Sequence, residues 1–412
     1  MTTSGAAPRI CWLTTEFFPP ETGGTGMIAA RLTRGLTERS LDVHVVTRQT
    51  LPRCAAEEFV GKVRLTRINP AGRMKGAGWR AFPAMLEFIV RLALLLIAER
   101  KNYDIVVVSG MKTIPITAVP VCRLLGKKCV VRVESPFELV EPISAESLDM
   151  MHGVVGRILS AVLKRMQRAV LRHAHCVVAI SQDIADRLLR FDRPPVRIAR
   201  IPNAVDLTKF KPVAAEEREP LRGRLGFAAG RTIVLYVGRL SRAKGVMMLI
   251  EAWPDLIVKH PDAYLVMVGS GSDSWDDCEG EIIEHVREHA LGAHVAMVGH
   301  SNSVHEYLQA ADLFVTPSDY EGFSLTLVEA LGTAIPVVTT AVGAAPEIIQ
   351  EGVNGFLCPP KNKGALSAAL DLALGQPTRW GSIGARARES AEAFDIPQVV
   401  DQYVTLLRDL HR

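Results

Sequence analysis

Short runs of apolar and β-branched residues alternate along the chain with segments in which apolar residues recur at helical spacing. This alternation is typical of βαβ units, in which helices join parallel strands. In the first half, strands are predicted at Arg9–Thr14, Val43–Thr47, Val63–Ile68, Ile105–Ser109, Cys129–Val133 and Cys176–Ile180. Segments with helical spacing of apolar residues lie between these strands, for example Gly26–Arg39 and Ile158–Arg172.

The second half repeats this pattern. Strands are predicted at Thr232–Val237, Tyr264–Val268, Val295–Val298, Leu313–Thr316, Val337–Thr339 and Gly355–Leu357. Helices are predicted near Gly245–His260, Glu279–His289, Val304–Ala310 and Ser324–Leu331. We therefore expect two doubly wound α/β domains, joined by a linker from Pro202 to about Arg231, where the apolar periodicity lapses. Ligands of such sheets bind outside the carboxyl ends of the strands, so the site is expected in a cleft between the domains.

The composition excludes several classes of protein. Of the 412 residues, 48% are hydrophobic and 22% are charged, unlike a disordered, collagen-like or coiled-coil chain. The most apolar stretch, Phe88–Ala98, contains Arg91 and falls short of the roughly 20 residues of a membrane span. It is interpreted as a core helix or a contact with a membrane surface. Met1–Arg9 lacks the pattern of a secretory signal, and a cytoplasmic protein is expected.

The seven cysteines are scattered along the chain and are never spaced as C-x-x-C. This spacing predicts neither a disulfide framework nor a zinc site.

The two halves of the chain differ in charge. Residues 1–200 carry 30 Lys and Arg against 17 Asp and Glu, whereas residues 201–412 carry 18 against 27. A basic first half fits an anionic polymer, an anionic lipid surface, a phosphorylated substrate or a solvated basic surface. Ile158–Arg172 is basic and contains no acid, which fits a helix on anionic lipid or one packed on a sheet. Nucleic acid is not expected, because no basic stretch interleaves aromatic residues.

Two loops after predicted strands contain glycines, and the second also contains cations. The first contains Gly23 and Gly24 before a helix. Such glycines let backbone amides approach a phosphate, although a tight turn without a ligand has the same pattern. The second contains Arg239 and Lys244 between two glycines. These cations would neutralise a diphosphate if they converge, and would otherwise pair with surface carboxylates.

A third segment, Pro317–Ala330, contains a pair of glutamates separated by seven residues. Glu321 follows the strand, and Glu329 comes later, on a helix expected to start near Ser324. Ionised carboxylates accept the hydrogen bonds that sugar hydroxyls donate, and the amides of a helix N-terminus bind phosphate. The alternative is that Glu321 caps the helix and that Glu329 is solvated.

Together these motifs resemble glycosyltransferase family 4. The resemblance rests on the Glu-x7-Glu pair, the Gly-Arg-Leu-x3-Lys-Gly segment, the Gly23-Gly24 loop, and the segments Ile201–Asp206, Ala345–Ile349 and Glu351–Phe356. It covers essentially the whole chain and is most specific from Asn203 to Pro360. The family implies a GT-B fold, in which two Rossmann-like, doubly wound parallel-sheet domains face each other across a cleft.

The resemblance also implies roles for parts of the chain. Residues 1–202 would bind the acceptor, residues 203–395 would bind the nucleotide sugar, and the helix Pro397–His411 within residues 396–412 would cross back to the first domain. Arg239, Lys244 and Glu321 would be catalytic, with the two cations on the donor diphosphate and Glu321 on the transferred sugar. The implied donor-binding set is Gly23, Gly24, Gly238, Arg239, Lys244, Gly299, His300, Glu321, Gly322, Phe323, Ser324, Leu325, Thr326 and Glu329. Within it, Glu329 would bind the ribose, and Gly299 and His300 would border the base.

The implied activity is retaining transfer of a hexose-type sugar from a nucleotide diphosphate sugar. UDP is the favoured carrier and GDP-mannose the next, and the acceptor would be a saccharide or a lipid-linked compound in polysaccharide or glycoconjugate synthesis. The alternatives are a soluble enzyme that makes a small glycoside or disaccharide, and a catalytically silent sugar-nucleotide-binding subunit. The expected location is cytoplasmic, with peripheral contact at the inner face of an anionic membrane.

No cofactor and no metal are expected. Members of this fold need no D-x-D metal site, and the sequence contains no D-x-D. Asp276 and Asp277 lie in a Gly/Ser/Asp loop that is interpreted as solvated surface.

One position departs from the family pattern. Many relatives have a His after the strand that here continues into Glu134 and Ser135, yet this segment contains none. Glu134 occupies the neighbourhood in which that His would contact the sugar. We expect either that Glu134, with Ser135, contacts the acceptor or the sugar, or that Glu134 is a surface residue after a strand.

Overall fold

The computed structural model describes residues 7–18, 24–49, 54–68, 82–110, 114–140, 165–191, 193–227, 229–271 and 276–412. These residues form two compact units, each built on its own β-sheet. The first unit consists of the described residues up to Ala204 together with Ile396–Arg412, and the second is Val205–Asp395.

The first unit is built on an eight-stranded sheet. Its strands are β1 (Arg9–Leu13), β2 (Asp42–Arg48), β3 (Glu57–Val60), β4 (Val63–Ile68), β5 (Ile105–Ser109), β6 (Lys128–Val133), β7 (Cys176–Ala179) and β8 (Ile198–Arg200). Their order is β3-β4-β2-β1-β5-β6-β7-β8, and neighbouring strands are parallel except for β3 and β4. Strand β5 is buried along its whole length, as expected for a parallel sheet covered on both faces.

Helices connect these strands. They are α1 (Gly24–Glu38), α2 (Phe82–Ala98), α3 (Ile114–Leu124), α4 (Phe137–Val140) and α5 (Gln182–Leu189), and residues 165–173 are also helical. The buried face of α1 contains Ile28, Leu32 and Leu36, whose spacing of four residues places them on one side of the helix.

The second unit is built on a six-stranded sheet. Its strands are β9 (Thr232–Val237), β10 (Ala263–Val268), β11 (Val295–Gly299), β12 (Leu313–Thr316), β13 (Val337–Thr340) and β14 (Phe356–Cys358). Their order is β11-β10-β9-β12-β13-β14, and all neighbouring pairs are parallel. The helices are α6 (Ala215–Arg224), α7 (Val246–Lys259), α8 (Glu279–Glu288), α9 (Val304–Ala310), α10 (Leu325–Gly332), α11 (Ala345–Ile348), α12 (Lys363–Leu374) and α13 (Trp380–Ala391).

The last helix, α14 (Ile396–His411), belongs to the first unit. Its apolar face is buried and includes Val400 and Tyr403. Val400 lies so close to Gly35 of α1 that a Cβ atom at Gly35 would be 2.4 Å from Val400 Cγ2, and the ring centroid of Tyr403 lies 5.8 Å from that of Trp12. The outer face of α14 is polar, with exposed side chains at Asp401, Gln402, Thr405, Arg408 and Asp409.

The prediction of two doubly wound parallel sheets is confirmed. Each strand predicted from the sequence is present, with ends shifted by at most one residue. Two strands were missed, β3 and β8. Strand β3 is a short, largely exposed strand with two glutamates that pairs antiparallel at the edge of the sheet, and β8 has only three residues, so neither produces a clear apolar run.

The predicted linker is wrong. Its central part forms α6, on which Leu221 is buried. The helix is fixed largely by charge, since Arg218 and Arg222 pair with the carboxylate of Asp312 at 2.8 and 2.7 Å. A helix that buries one leucine shows little apolar periodicity, which explains why the sequence resembles a linker.

Two further expectations concern helices of the first unit. Of the predicted helix Ile158–Arg172, residues 158–164 lie outside the described part of the chain and residues 165–172 are helical. Phe88–Ala98 is the greater part of α2, and Phe88, Leu92 and Leu96 are buried. Among the helices that the structure describes, none combines the length and the apolar character needed to cross a bilayer.

Candidate active site

The donor residues predicted for the second unit gather along one edge of its sheet. Arg239 follows β9, His300 follows β11, and the loop with Glu321 follows β12. Because all strands of this sheet are parallel, their carboxyl ends lie along the same edge. Three loops that are distant in the sequence therefore meet on one side of the sheet.

Lys244 and Glu321 form an ion pair at this edge. Lys244 Nζ donates to Glu321 Oε1 over 2.6 Å, and Ser318 Oγ donates to the same oxygen over 2.9 Å. The two charged side chains are 25% and 14% exposed, so the pair is partly shielded from water and its attraction is stronger than at a fully solvated surface. A cation and a hydrogen-bond acceptor are thereby held side by side.

Tyr236 is buried and interacts electrostatically with Glu321 of this pair. Burial raises the pKa of its phenol, and the negative charge of Glu321 raises it further. The phenol therefore stays protonated and donates a 2.7 Å hydrogen bond to the carbonyl oxygen of Arg239. This bond fixes the backbone from which the Arg239 side chain extends.

A short 3₁₀ turn, Arg242–Lys244, positions the lysine. It ends at Gly245, whose φ of +68° lies in the left-handed region that glycine adopts without strain. Asp276 braces the turn, because its Oδ2 accepts from the amide of Ala243 over 3.1 Å and its carbonyl oxygen accepts from the amide of Arg242 over 2.9 Å.

The expectation that Asp276 is solvated is therefore wrong, since its side chain is buried. The neighbouring Asp277 is exposed, as expected. The Gly/Ser/Asp composition of the loop does not indicate this role of Asp276, because only the fold brings Asp276 to the turn that contains Lys244.

Helix α10 begins just beyond the glutamate loop. Ser324 is its N-cap, and Ser324 Oγ accepts from the amide of Leu327 over 3.3 Å; the cap is therefore not Glu321. The first amides of a helix, here those of Leu325 and Thr326, have no intrahelical acceptor, and they carry positive partial charge. Glu329 lies in the next turn and is buried, so it is not a solvated carboxylate.

The other predicted donor residues differ in their surroundings. Phe323 is buried, and its ring centroid lies 5.6 Å from that of Phe394. His300 is exposed. Gly24 lies in the first unit as the first residue of α1, and Gly23 lies outside the described residues. Of the remaining positions, Gly238 and Gly322 lie in strand-end loops of the second unit, and Gly299 is the last residue of β11.

A second polar centre lies in the first unit. Arg132 of β6 is fully buried and donates hydrogen bonds to Glu134 Oε1 and to Asn203 Oδ1. The other oxygen of Glu134 accepts from Thr25 Oγ1 over 2.8 Å. Glu134 is therefore not a solvated surface residue but the counter-ion of a buried arginine. Sequence reasoning missed Arg132, because it lies within an otherwise apolar strand.

A cavity of about 160 Å³ opens beside Glu134. Its lining comes from the ends of β1, β5 and β6 and from the starts of α1, α3 and α4: Thr15, Glu16, Thr25, Ser109, Gly110, Ile114, Glu134 and Glu138. Ser135 is not among these residues. Carboxylates that accept and hydroxyls that both donate and accept are the groups that bind a polyhydroxylated compound.

The described residues show no grouping typical of a metal site. Within the described ranges, no three His, Cys, Asp or Glu side chains are arranged to hold a metal ion. The three glutamates of the cavity are thus not grouped as a cation site.

Comparison with known proteins assigns the chain to a family. The model of the family described as Glycosyltransferase Family 4 matches residues 22–209. The model described as Glycosyl transferases group 1 matches residues 217–390. One match falls in each half of the chain, and together they span most of it.

Individual relatives extend over nearly the whole chain. The N-acetyl-alpha-D-glucosaminyl L-malate synthase of Bacillus anthracis is 26% identical in an alignment of 404 positions that covers 95% of this chain and 96% of the relative. The structure of sucrose-phosphate synthase from Thermosynechococcus elongatus has a TM-score of 0.79 and 25% identity, and the match covers 98% of this chain and 99% of that one. The structure of Anabaena HepE in complex with UDP and glucose has a TM-score of 0.75 and 19% identity, over 97% of this chain and 99% of that one. These likenesses confirm the GT-B fold, and with the two family matches they show that the chain belongs to glycosyltransferase family 4.

Proposed function

We propose that this chain is a retaining glycosyltransferase. It moves a hexose-type sugar from a nucleotide diphosphate sugar to a hydroxyl group of a saccharide or lipid-linked acceptor, in polysaccharide or glycoconjugate synthesis. The observation that carries the proposal is the Lys244–Glu321 pair at the sheet edge where α10 begins. A cation, a carboxylate and helix amides at one edge suit the diphosphate and the sugar hydroxyls of such a donor.

The diphosphate would be held by cations and amides. Arg239 and Lys244 supply two positive charges, and the amides of Leu325 and Thr326 supply the positive end of a helix. A diphosphate that binds Lys244 competes with Glu321 for the ammonium group, so Glu321 becomes available to accept hydrogen bonds from the sugar. Charge balance by these groups is the basis for proposing a metal-independent reaction.

The nucleoside would lie beside Glu329 and the end of β11. Glu329 would accept hydrogen bonds from the ribose hydroxyls, and Gly299 and His300 would border the base. The HepE structure was determined with UDP and glucose, which supports UDP as the favoured carrier, with GDP-mannose next.

The reaction would proceed on one face of the sugar. The bond between the anomeric carbon and the donor phosphate oxygen breaks, and a bond from the acceptor oxygen to the same carbon forms. The acceptor hydroxyl proton passes to the departing phosphate oxygen, so a nucleoside diphosphate leaves. Arg239 and Lys244 stabilise the charge that grows on that diphosphate, which is the main electrostatic contribution of the chain.

The acceptor would bind in the cavity of the first unit. Glu134, Glu138 and Glu16 line it, and carboxylates accept hydrogen bonds from hydroxyl groups. Because like charges repel in a partly enclosed site, this lining favours an uncharged, hydroxyl-rich group over a carboxylate or phosphate. In this respect the chain would differ from its Bacillus anthracis relative, which is named for L-malate, a dicarboxylate.

That relative also supports a second candidate function. A match over 96% of an enzyme named for a small glycoside favours a soluble enzyme that makes a small glycoside or disaccharide. The two candidates share the donor site and differ only in the acceptor.

A thermal-shift panel tests the donor site. The purified chain is heated with UDP, GDP, ADP, dTDP and their common sugar conjugates, because a ligand that binds only the native state raises the melting temperature. We expect a shift with one nucleotide, UDP first, that is lost in Lys244→Ala. Lys259→Ala is the matched control, since Lys259 pairs with Asp371 on the exposed surface of the same unit. Absence of any shift in the wild type would contradict the proposal.

A further inference from the structure

Helix α2 presents an apolar stripe to solvent. The stripe consists of four aliphatic side chains that are 37% to 61% exposed: Leu86, Val90, Leu94 and Ile97. Their spacing of i, i+4, i+8 and i+11 places them on one face of the helix. The opposite face, which includes Leu92, is buried. The helix is therefore apolar on its outer side as well as on its inner side.

This outer face is unusual within the same unit. A surface helix of a globular protein normally carries polar residues on the side that faces water, and α14 follows that rule with an outer face of charged and amide side chains. A continuous apolar surface of this kind marks a site of contact with a protein or a membrane. The α2 stripe thus requires a partner that covers it.

The charges around the stripe indicate the partner. Two acids near it are neutralised by arginines: Glu87 pairs with Arg91 at 2.5 Å, and Glu99 pairs with Arg64 at 3.6 Å. At the C-terminal end of the helix, Arg100 and Lys101 are exposed, and among the described residues neither has a carboxylate partner. An apolar strip bordered by unpaired cations is complementary to a bilayer surface that contains anionic lipid.

The sequence that leads into α2 has the same charge. Residues 69–81 contain three cations and no acid. The charge that precedes the helix in the sequence thus has the same sign as that of Arg100 and Lys101.

We propose that the α2 stripe docks the first unit on a membrane surface containing anionic phospholipid. The helix has 17 residues and a length of about 26 Å, so it would lie in the plane of the interface, with the four aliphatic side chains in the acyl region and Arg100 and Lys101 among the headgroups. The inference deepens the proposed function, because docking would bring the chain to a lipid-linked acceptor.

Vesicle co-sedimentation of the full chain tests this inference. The vesicles contain phosphatidylcholine with or without phosphatidylglycerol, at low and high salt. We expect the wild type to sediment with the phosphatidylglycerol vesicles at low salt and to be released at high salt. Leu86→Gln/Leu94→Gln, which keeps helix propensity and side-chain size, is expected to bind at least about tenfold more weakly.

Two further variants control for general effects. Leu189→Gln/Leu372→Gln removes two leucines of similar exposure outside the stripe and is expected to bind like the wild type. Arg100→Gln/Lys101→Gln leaves the stripe intact and is expected to lose about tenfold or more of the binding to phosphatidylglycerol vesicles. Circular dichroism shows whether each variant is folded. If the Leu86→Gln/Leu94→Gln variant does not fold, the Arg100→Gln/Lys101→Gln variant still tests the proposal.

Several results would overturn the inference. One is that the wild type does not sediment with the vesicles, and another is that the stripe variant sediments as well as the wild type does. A third is that light scattering finds the wild type as a dimer and the stripe variant as a monomer, which would assign the stripe to a second copy of the chain. The nucleotide thermal shift separates this inference from the proposed function. A stripe variant that keeps its shift but loses vesicle binding supports docking, and a wild type that binds vesicles without any nucleotide shift contradicts only the proposed function.

Discussion

Gly245 lies directly against the carbonyl oxygen of Pro317, and a Cβ atom at Gly245 would be 1.9 Å from it. This contact joins the turn after β9 to the loop after β12. Because the two backbones approach so closely, Lys244 on one loop reaches Glu321 on the other. The ion pair of the candidate donor site therefore depends on a glycine that carries no functional group.

Gly245→Ala is expected to lower the free energy of unfolding by about 3 kcal/mol, since the new methyl group must displace backbone and the residue must keep a positive φ. Gly226→Ala is the matched control. Gly226 also has a positive φ, of +76°, but nothing lies within 4 Å of its Cβ position, so that variant is expected to lose about 1 kcal/mol. Urea unfolding measures both, and equal losses would contradict the steric explanation.

Glu321→Gln is expected to separate binding from catalysis. The amide leaves Lys244 without its carboxylate partner, so the nucleoside diphosphate no longer competes with Glu321 and binds at least as tightly as in the wild type. Transfer is expected to fall about 100-fold or more, because the contact that positions the sugar is weakened. Calorimetric binding of the nucleotide and single-turnover kinetics with the sugar conjugate give the two values. Weaker nucleotide binding by Glu321→Gln than by the wild type would contradict a competition between Glu321 and the diphosphate for Lys244.

Glu134→Gln is expected to destabilise the first unit by about 3 kcal/mol, because it removes the counter-ion of the buried Arg132. Glu138→Gln is the control. Glu138 accepts a 3.0 Å hydrogen bond from the amide of Glu134, and its charge acts on Arg132 less than that of Glu134 does. Its substitution is expected to cost about 1 kcal/mol. Equal melting temperatures for the two variants would show that the Arg132–Glu134 pair is not the stabilising contact.

Stability is expected to fall in acid partly through Asp104. The hydrogen bond from the Arg9 side chain, with smaller help from the Arg9 amide and charge, lowers the pKa of Asp104 to about 2. A carboxyl group with a lowered pKa contributes stability above its unfolded pKa of about 4, and this is lost as the pH falls toward the folded value. The melting temperature of the wild type should therefore be higher than that of Asp104→Asn at neutral pH. This difference in melting temperature should vanish as the pH falls from about 4 to about 2. A difference that does not change with pH would contradict this origin.

Much of the fold could be predicted from the sequence, because buried parallel strands are continuous apolar runs between turns. β5 and β9 are examples, and their ends were found correctly. Elements held by charge were not found. α6 buries only Leu221 and is fixed by the pairs of Arg218 and Arg222 with Asp312, which are contacts between distant positions.

The same distinction applies to the candidate sites. Lys244 and Glu321 were recognisable because they belong to motifs with fixed spacing. Asp276, which braces the lysine turn, and Arg132, which holds Glu134, were not recognisable. Their roles arise only when the fold brings together loops and strands that no local pattern connects.

Titration calorimetry of the purified chain with UDP, beside Lys244→Ala and Lys259→Ala, tests whether this sheet edge binds the donor. We expect saturable binding by the wild type and by Lys259→Ala, and a loss of affinity of at least about tenfold in Lys244→Ala, because that variant lacks a charge-assisted contact to the diphosphate. GDP takes the place of UDP if the thermal-shift panel selects it. Equal affinity of Lys244→Ala and the wild type would contradict the assignment of this sheet edge as the donor site.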